Sequence, residues 1–418
     1  MATRIEVTKQ LRTDYRTGTK AEKSAIIDQF CASTGAGRST ARRYLTSKTL
    51  GVKNVVRIDR RNHKPTKYSQ NAKKQLVRVW RMMGMPSGKY MKAVLEDWIE
   101  RLEAHQELVV GRSGYNPTAR AQLLSMSAAT IDRYLKAERD RLALKGISTT
   151  KPGALLRNSI TVRKAGDELE IEPGFFETDT VAHCGPTAKG EFARTLTMTD
   201  VVTGWIQLEV LRNNARANML AGLDRAVAAI PYEIAGLDAD NGSEFINHDV
   251  MHWAADRLIF FTRSRPYYKN DQAMVESKNN HAVRRYGFHY RYDTQDERDI
   301  LAALWEVVGL KLNFFTATKK PIGWSQDASG KRKRLYDEPQ TPYKRLKASG
   351  ILSQPQLDEL EALYRSLNPA QLTRQILTYQ DRLMSRAKDK TLAMVANIED
   401  KQHARTARQK TGVKTKTA

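Results

Sequence analysis

Through the first 150 residues, apolar side chains recur at helical intervals between short polar turns. Lys20 to Ser33 (KAEKSAIIDQFCAS) puts Ile26, Ile27 and Phe30 on one face. The break TGAG at 34–37 follows, then the short basic segment RSTARRYLTS. Helix, Gly-containing turn and basic helix make a helix-turn-helix pattern. A second instance is ARAQLLSMSAATIDRYLKAERDRL at 119–142. GRSTARRYL (37–45) and SAATIDRYL (127–135) align at an offset of 127 − 37 = 90 and share Thr, Arg, Tyr and Leu. Two related helical DNA-reading units are expected, with Arg38, Arg42, Arg43 and Arg133 towards DNA. Two ordinary helical hairpins with solvated basic faces would carry the same pattern. Between them, SKTLGVKNVVRIDRRNHKPTK (47–67) is a loop-like basic run, either a linker tracking phosphates or a solvated connector.

From about residue 170 the period changes. FFETDTVAHC (175–184), FARTLTMTDVV (192–202) and WIQLEVL (205–211) alternate as strands, the last two joined at Thr203–Gly204. ARANMLAGLDRAVAAI (215–230) is a helix and IAGLDAD (234–240) a fourth strand. NHDVMHWAADR (247–257) is a helix, LIFFTRS (258–264) a fifth strand and QAMVESKNNHAVRRY (272–286) a helix. This order predicts an α/β domain with a mixed sheet and flanking helices. A long amphipathic helix follows at 298–315, a basic irregular stretch at 319–342, and helical segments around 353–367 and 369–387. The tail 401–418 has six Lys or Arg and no acid, and is expected to stay disordered until it meets a partner. The boundaries are therefore 1–68 and 69–150 (all-α, helix-turn-helix-like), 151–169 (linker), 170–318 (α/β domain), 319–400 (basic, then mostly helical) and 401–418 (tail).

Composition narrows the partners. A chain of 418 residues with 40% hydrophobic content can build real cores. A net charge of +24 favours a polyanion. No apolar run nears the roughly 18 residues a spanning helix needs, so no membrane is expected. The N-terminus MATRIEVTKQ has no signal-peptide core. Two distant cysteines, Cys31 and Cys184, form no CxxC pair, which argues against structural zinc. A reducing cytoplasm and nucleic acid are the expected setting.

The chemistry lies in the acids. Asp179 sits inside the first strand of the α/β domain, Asp240 ends the fourth, and Glu276 lies one turn inside the helix after the fifth. Strands one and four of such a sheet are commonly neighbours, so the three carboxylates would converge. Converging carboxylates repel unless divalent cations neutralise them. Hard oxygen ligands suit Mg²⁺ or Mn²⁺, and two ions about 4 Å apart support phosphoryl transfer. Asp238, two positions before Asp240, is either a supporting group or a rival. Glu177 could share the face of Asp179, Asp200 is expected to cap the turn at 203–204, and Glu244 reads as a helix cap or surface acid. Asn280 and Arg284, at i+4 and i+8 from Glu276, would share its face and touch DNA, or be plain surface. His183 and Cys184 read as packing or strand-end polarity. Tyr267, Tyr268 and Lys269 read as packing or DNA contacts.

From Asp240 to Glu276 is 276 − 240 = 36 positions, so 35 residues intervene. With the phrases ETDTVAH, TMTDVVTGW, DNGSEF and RPYYKNDQAMVESKNNHAVRR, residues 170–318 resemble the D,D-35-E catalytic core of the retroviral-integrase superfamily, which includes bacterial insertion-sequence transposases. YDEPQTPYKRLKASG resembles, more loosely, a C-terminal stretch of such transposases. The resemblance implies an RNase H-like sheet and Asp179, Asp240 and Glu276 as catalytic metal ligands. It also implies Mg²⁺ or Mn²⁺-dependent cleavage at the ends of a mobile element and strand transfer to target DNA. The partners implied are the element's terminal repeats, target DNA and further copies of the chain, in a bacterial cytoplasm beside the nucleoid. The zinc module of retroviral integrases is absent, and helix-turn-helix-like units stand in its place. A non-catalytic DNA-binding regulator on an integrase-like scaffold is the alternative; a cutting-only nuclease is a third.

Overall fold

A computed structural model describes residues 4–47, 67–142, 162–163, 172–240, 247–264, 278–326 and 332–410, with single positions at 242, 244, 245, 275 and 330. The basic run at 48–66 lies outside the described residues. Contacts divide the chain into two compact units, Met1–Lys67 and Tyr68–Ala418.

The first unit has helices α1 (Arg4–Thr17), α2 (Lys20–Thr34) and α3 (Arg38–Thr46). Helix α2 starts at a capping box, where Thr19 and Glu22 satisfy each other's backbone N–H groups. It ends at Gly35 with φ of 66°, a left-handed geometry that favours glycine. Ile27 and Phe30 of α2 close on Ala41 and Leu45 of α3 and on Tyr15 of α1. The sequence reading did not register α1, because its polar positions outnumber the few that face this small core.

The second unit opens with α4 (Gln70–Met82), α5 (Gly88–Ala104), α6 (Pro117–Ser125) and α7 (Ala128–Leu142). Ile131 and Leu135 of α7 are buried, as are Ala41 and Leu45 of α3 at the positions related by the offset of 90. The six-stranded sheet has β1 (Val162–Arg163), β2 (Phe175–Ala182), β3 (Arg194–Asp200), β4 (Ile206–Leu211), β5 (Gly236–Ala239) and β6 (Phe260–Ser264), in the order β1-β6-β5-β2-β3-β4. Strands β2, β3 and β4 pair antiparallel, whereas β5 runs parallel to β2 and β6 parallel to β5. This is the RNase H-like arrangement. Strand β1 adds two parallel residues beside β6, within the stretch read from sequence as a linker. Asp200 caps the turn as expected, accepting from the N–H groups of Val202 at 2.9 Å and Thr203 at 2.6 Å.

Helices α8 (Arg216–Ala229), α9 (His248–Asp256) and α10 (Gln295–Phe315) flank the sheet. In α10, Trp305 Nε1 donates to Thr195 Oγ1 at 3.0 Å. Asn313 accepts from Ile206 N and donates to Ile206 O, both at 2.9 Å, so a side chain completes the backbone pairing of edge strand β4. Trp98 Nε1 of α5 donates to Phe315 O at 3.0 Å, and the apolar core runs unbroken from α4–α7 to the sheet. Residues 319–342, read as irregular, fold as a hairpin of β7 (Pro321–Gln326) and β8 (Arg332–Tyr336) before α11 (Pro342–Ser349). After α12 (Gln354–Ser366), α13 (Pro369–Lys410) runs into the segment read as a disordered tail; 411–418 lie outside the described residues. Once a helix is nucleated, adding good helix formers such as Lys, Arg, Gln and Ala costs little. Among the described residues, no helix is long and apolar enough to cross a membrane.

Replacing Asn313 with Ala strips the side-chain partner from both the N–H and the C=O of buried Ile206. We expect a loss of about 2 kcal/mol, read as a lower urea midpoint at an unchanged denaturant slope.

Candidate functional site

The register of two parallel strands builds the site. Glu177 pairs with Asp238 and Thr178 with Ala239. One step further, Asp179 comes beside Asp240. Paired residues in a parallel ladder share a face, so two rows form. The deeper row is Glu177, Asp238 and Thr262, all buried, with Thr262 Oγ1 donating to Asp238 at 2.6 Å. Glu177 accepts from the backbone N–H of Val275 at 2.9 Å. The upper row is Asp179 and Asp240, half-buried at the carboxyl ends of β2 and β5.

Both upper carboxylates are held by donors. Asp179 accepts from Thr180 N and from Asn279 Nδ2, each at 2.6 Å. Asp240 accepts from Gly242 N at 2.8 Å. A β-carbon at Gly242 would come within 2.8 Å of the Asp240 carboxylate and 2.7 Å of Glu244, so a larger residue there would push both carboxylates from their places. Burial and the facing charge of Asp240 push the Asp179 carboxyl up to about 7. Burial pushes Asp240 up to about 6, with Glu244 and Asp238 adding to the shift while the Gly242 N–H and Arg194 oppose it. Glu244, read from sequence as a cap or surface acid, instead turns in beside the site. It accepts from Thr180 Oγ1 at 3.0 Å and pairs with Arg194 at 3.1 Å. Two hard-oxygen groups whose ionisation is opposed by burial and by neighbouring carboxylates fit a divalent cation such as Mg²⁺ or Mn²⁺.

Glu276 lies outside the described residues, as do Tyr267, Tyr268 and Lys269. The chain on either side of Glu276 is tied to the sheet, by Val275 through Glu177 and by Lys278, whose ammonium donates to Gly204 O at 3.3 Å. Among the described residues, no three His, Cys, Asp or Glu side chains gather as a ligand set. Residues Asn279–Arg284 form a π-helical turn, which carries more residues per turn than an α-helix. Asn279 reaches Asp179, while Asn280 is exposed and Arg284 half-buried. Burial, with the nearby Arg284 and His289, pushes the imidazole of His183 down to about 3; it bonds Thr195 Oγ1 at 2.7 Å as a neutral core group. Sequence reasoning missed Asn279 because it followed i+4 and i+8 from Glu276 and passed over i+3, which shares that face of a helix.

The other candidate DNA contacts are on α3 of the first unit and α7 of the second. Arg38, Arg42 and Arg43 are exposed on α3, with Arg38 paired to Asp28 and bonded to Ser24 at 2.9 Å. Arg43 lies 5.9 Å from the ring centre of Tyr44, and exposed Arg133 of α7 lies 5.4 Å from that of Tyr134, again at the offset of 90. Asp132, aligned with Arg42, instead accepts from Gly88 N at 2.7 Å and pairs with Arg139.

A raised carboxyl pKa stabilises the fold below the unfolded value and loses that contribution as pH rises through the folded one. In EDTA, the melting temperature should therefore fall between pH 3.8 and about 7 through Asp179. Asp179→Asn should flatten that fall, and Mg²⁺ at pH 8 should raise the wild-type melting temperature but not the variant's. A thermal-shift series across pH checks both.

The family model described as the integrase core domain matches residues 170–269. An uncharacterized protein, y4rM, from Sinorhizobium fredii is 33% identical over 322 residues, covering 77% of this chain and 88% of that protein. The catalytic core domain of BIV integrase aligns with 42% of this chain and 95% of its own, at 16% identity and a TM-score of 0.27. That of HTLV-2 integrase, in complex with magnesium, aligns with 35% of this chain and 91% of its own, at 12% identity and a TM-score of 0.27.

Proposed function

The chain belongs to the retroviral-integrase superfamily, and from that premise we propose that it is a transposase, binding the ends of a mobile DNA element and joining them to target DNA. The observation that carries this reading is the β2–β5 register, which sets Asp179 beside Asp240 on one face. Asp179, Asp240 and Glu276 are the catalytic set and the ligands of Mg²⁺ or Mn²⁺, two ions being expected. Bound there, the metal would activate the attacking oxygen and stabilise the leaving one.

The remaining steps belong to the protein. Thr180 N and Asn279 Nδ2 each hold one oxygen of Asp179, so its carboxylate cannot swing. The Gly242 N–H fixes Asp240 in the same way. Water attacks a phosphodiester at the element end; the new P–O bond replaces the P–O3′ bond, and the freed 3′-oxygen takes a proton. That 3′-hydroxyl then attacks a target phosphodiester, and one P–O3′ bond is exchanged for another. No phosphodiester is lost in this second step, so it needs no external energy source.

Recognition of the ends falls to the helix-turn-helix-like pairs, with Arg38, Arg42 and Arg43 on α3 and Arg133 on α7. Asn280 and Arg284 would touch DNA beside the catalytic set. The net charge of +24 supports a DNA partner. Two ends must be held at once, so a homo-oligomer on DNA is expected.

A strand-transfer assay tests the reading, with a labelled duplex carrying the flanking DNA end, a plasmid target, and Mg²⁺ or EDTA. Asp240→Asn should abolish joining and keep end binding. Asn279→Ala, which frees Asp179 without removing a ligand, should slow joining by about 10–100-fold. Tight end binding with no cutting in any divalent metal would instead favour a DNA-binding regulator.

A further inference from the structure

The β7–β8 hairpin stands outside the six-stranded sheet, as its own two-stranded ribbon. An isolated hairpin is marginal in water, so its exposed face is informative. Along β7 the exposed positions are Ile322, Trp324 and Gln326, and Trp324 is 58% exposed. Arg334 lies opposite Trp324 in register, its guanidinium 5.5 Å from the ring centre. Tyr336, 47% exposed, has the Lys319 ammonium 5.7 Å from its ring centre. The face therefore interleaves aromatic and cationic groups.

Charge selects the occupant. Residues 331–334 read KRKR, and no acid occurs from 328 to 336. The nearest carboxylate past the ribbon, Asp337, is committed inward, accepting from Lys320 N at 2.6 Å and from Arg345 at 3.0 Å. At the ribbon's base, Lys319 meets the ammonium of Lys89, which pulls the Lys319 pKa below its usual value. A polyanion relieves such a contact; a neutral protein surface does not. A cleft of about 400 Å³ between Met85, Lys278, His281, Arg285 and Lys319 joins the base to the helix that follows Val275.

We propose that the β7–β8 ribbon is a further DNA-binding element, with Trp324, Arg334 and Lys319 gripping duplex DNA. The proposal rests on the transposase reading for its DNA partner. A two-stranded ribbon fits a major groove about 12 Å wide, and the cation–aromatic pairs present both charge and a flat apolar surface.

The test is fluorescence anisotropy of a labelled duplex with the full-length protein over a salt series. Arg334→Ala should lower the slope of log affinity against log salt by about 1. Trp324→Ala with Arg334→Ala should weaken binding about tenfold, and Trp324→Phe should retain most of it. Trp324 is exposed and Arg334 half-buried, so an unchanged melting temperature identifies correctly folded variants. Wild-type affinity and salt slope in the double variant would overturn the ribbon's role and leave the transposase reading intact. Wild-type protein that binds no duplex at all would instead overturn that reading and the ribbon with it. If Trp324→Ala breaks up a dimer in sedimentation while DNA binding is unchanged, the face belongs to a second copy of the chain and the proposal fails.

Discussion

Two like charges held side by side in adjacent parallel strands are the constraint around which the second unit is arranged. The strands could avoid the repulsion between Asp179 and Asp240 by shifting register by one residue. That shift would turn Glu177 and Asp238 from the deep face as well, and expose the apolar residues between them. The deeper row makes the shift costly. Thr262 satisfies Asp238 from β6, and Glu177 is bonded to the backbone of Val275. The carboxyls are thus retained side by side: burial and then the charge of Asp240 raise the Asp179 pKa, and burial with Glu244 and Asp238 raises that of Asp240.

The sheet alone does not supply that rigidity. Asn313 of α10 completes edge strand β4, and Trp98 of α5 bonds the end of the same helix. At the start of α10, Lys390 of α13 pairs with Asp293 and Glu297, both at 2.6 Å. Buried Arg291 donates to the carbonyls of Cys184, Thr187, Lys189 and Glu191, fixing the loop between β2 and β3. The helices before and after the integrase-like segment therefore brace the element that carries Asp179.

Much of this was legible in the chain. Alternation in FFETDTVAHC, FARTLTMTDVV and WIQLEVL located the three antiparallel strands, although β3 is buried on both faces, its threonines included. DNG located the turn after Asp240, where a glycine must approach the carboxylate closely. Ile27 and Phe30 located α2 by their spacing. Helix α1 and the β7–β8 ribbon escaped because neither buries enough side chains to impose a pattern; PIGWSQ alternates, but between exposed and half-exposed groups.

The amino-acid sequence by itself determined the fold class and the spacing of its acids, since periodicity records which face of each element meets the core. It also determined the strongly cationic character that calls for a polyanion. Only the tertiary structure decided which acids share a row, because that depends on the register between strands distant in sequence. Only it could turn Glu244 inward to Arg194 and bring Asn279 to Asp179. Both contacts join residues far apart in the chain, and local propensity does not encode where tertiary contacts will place a side chain.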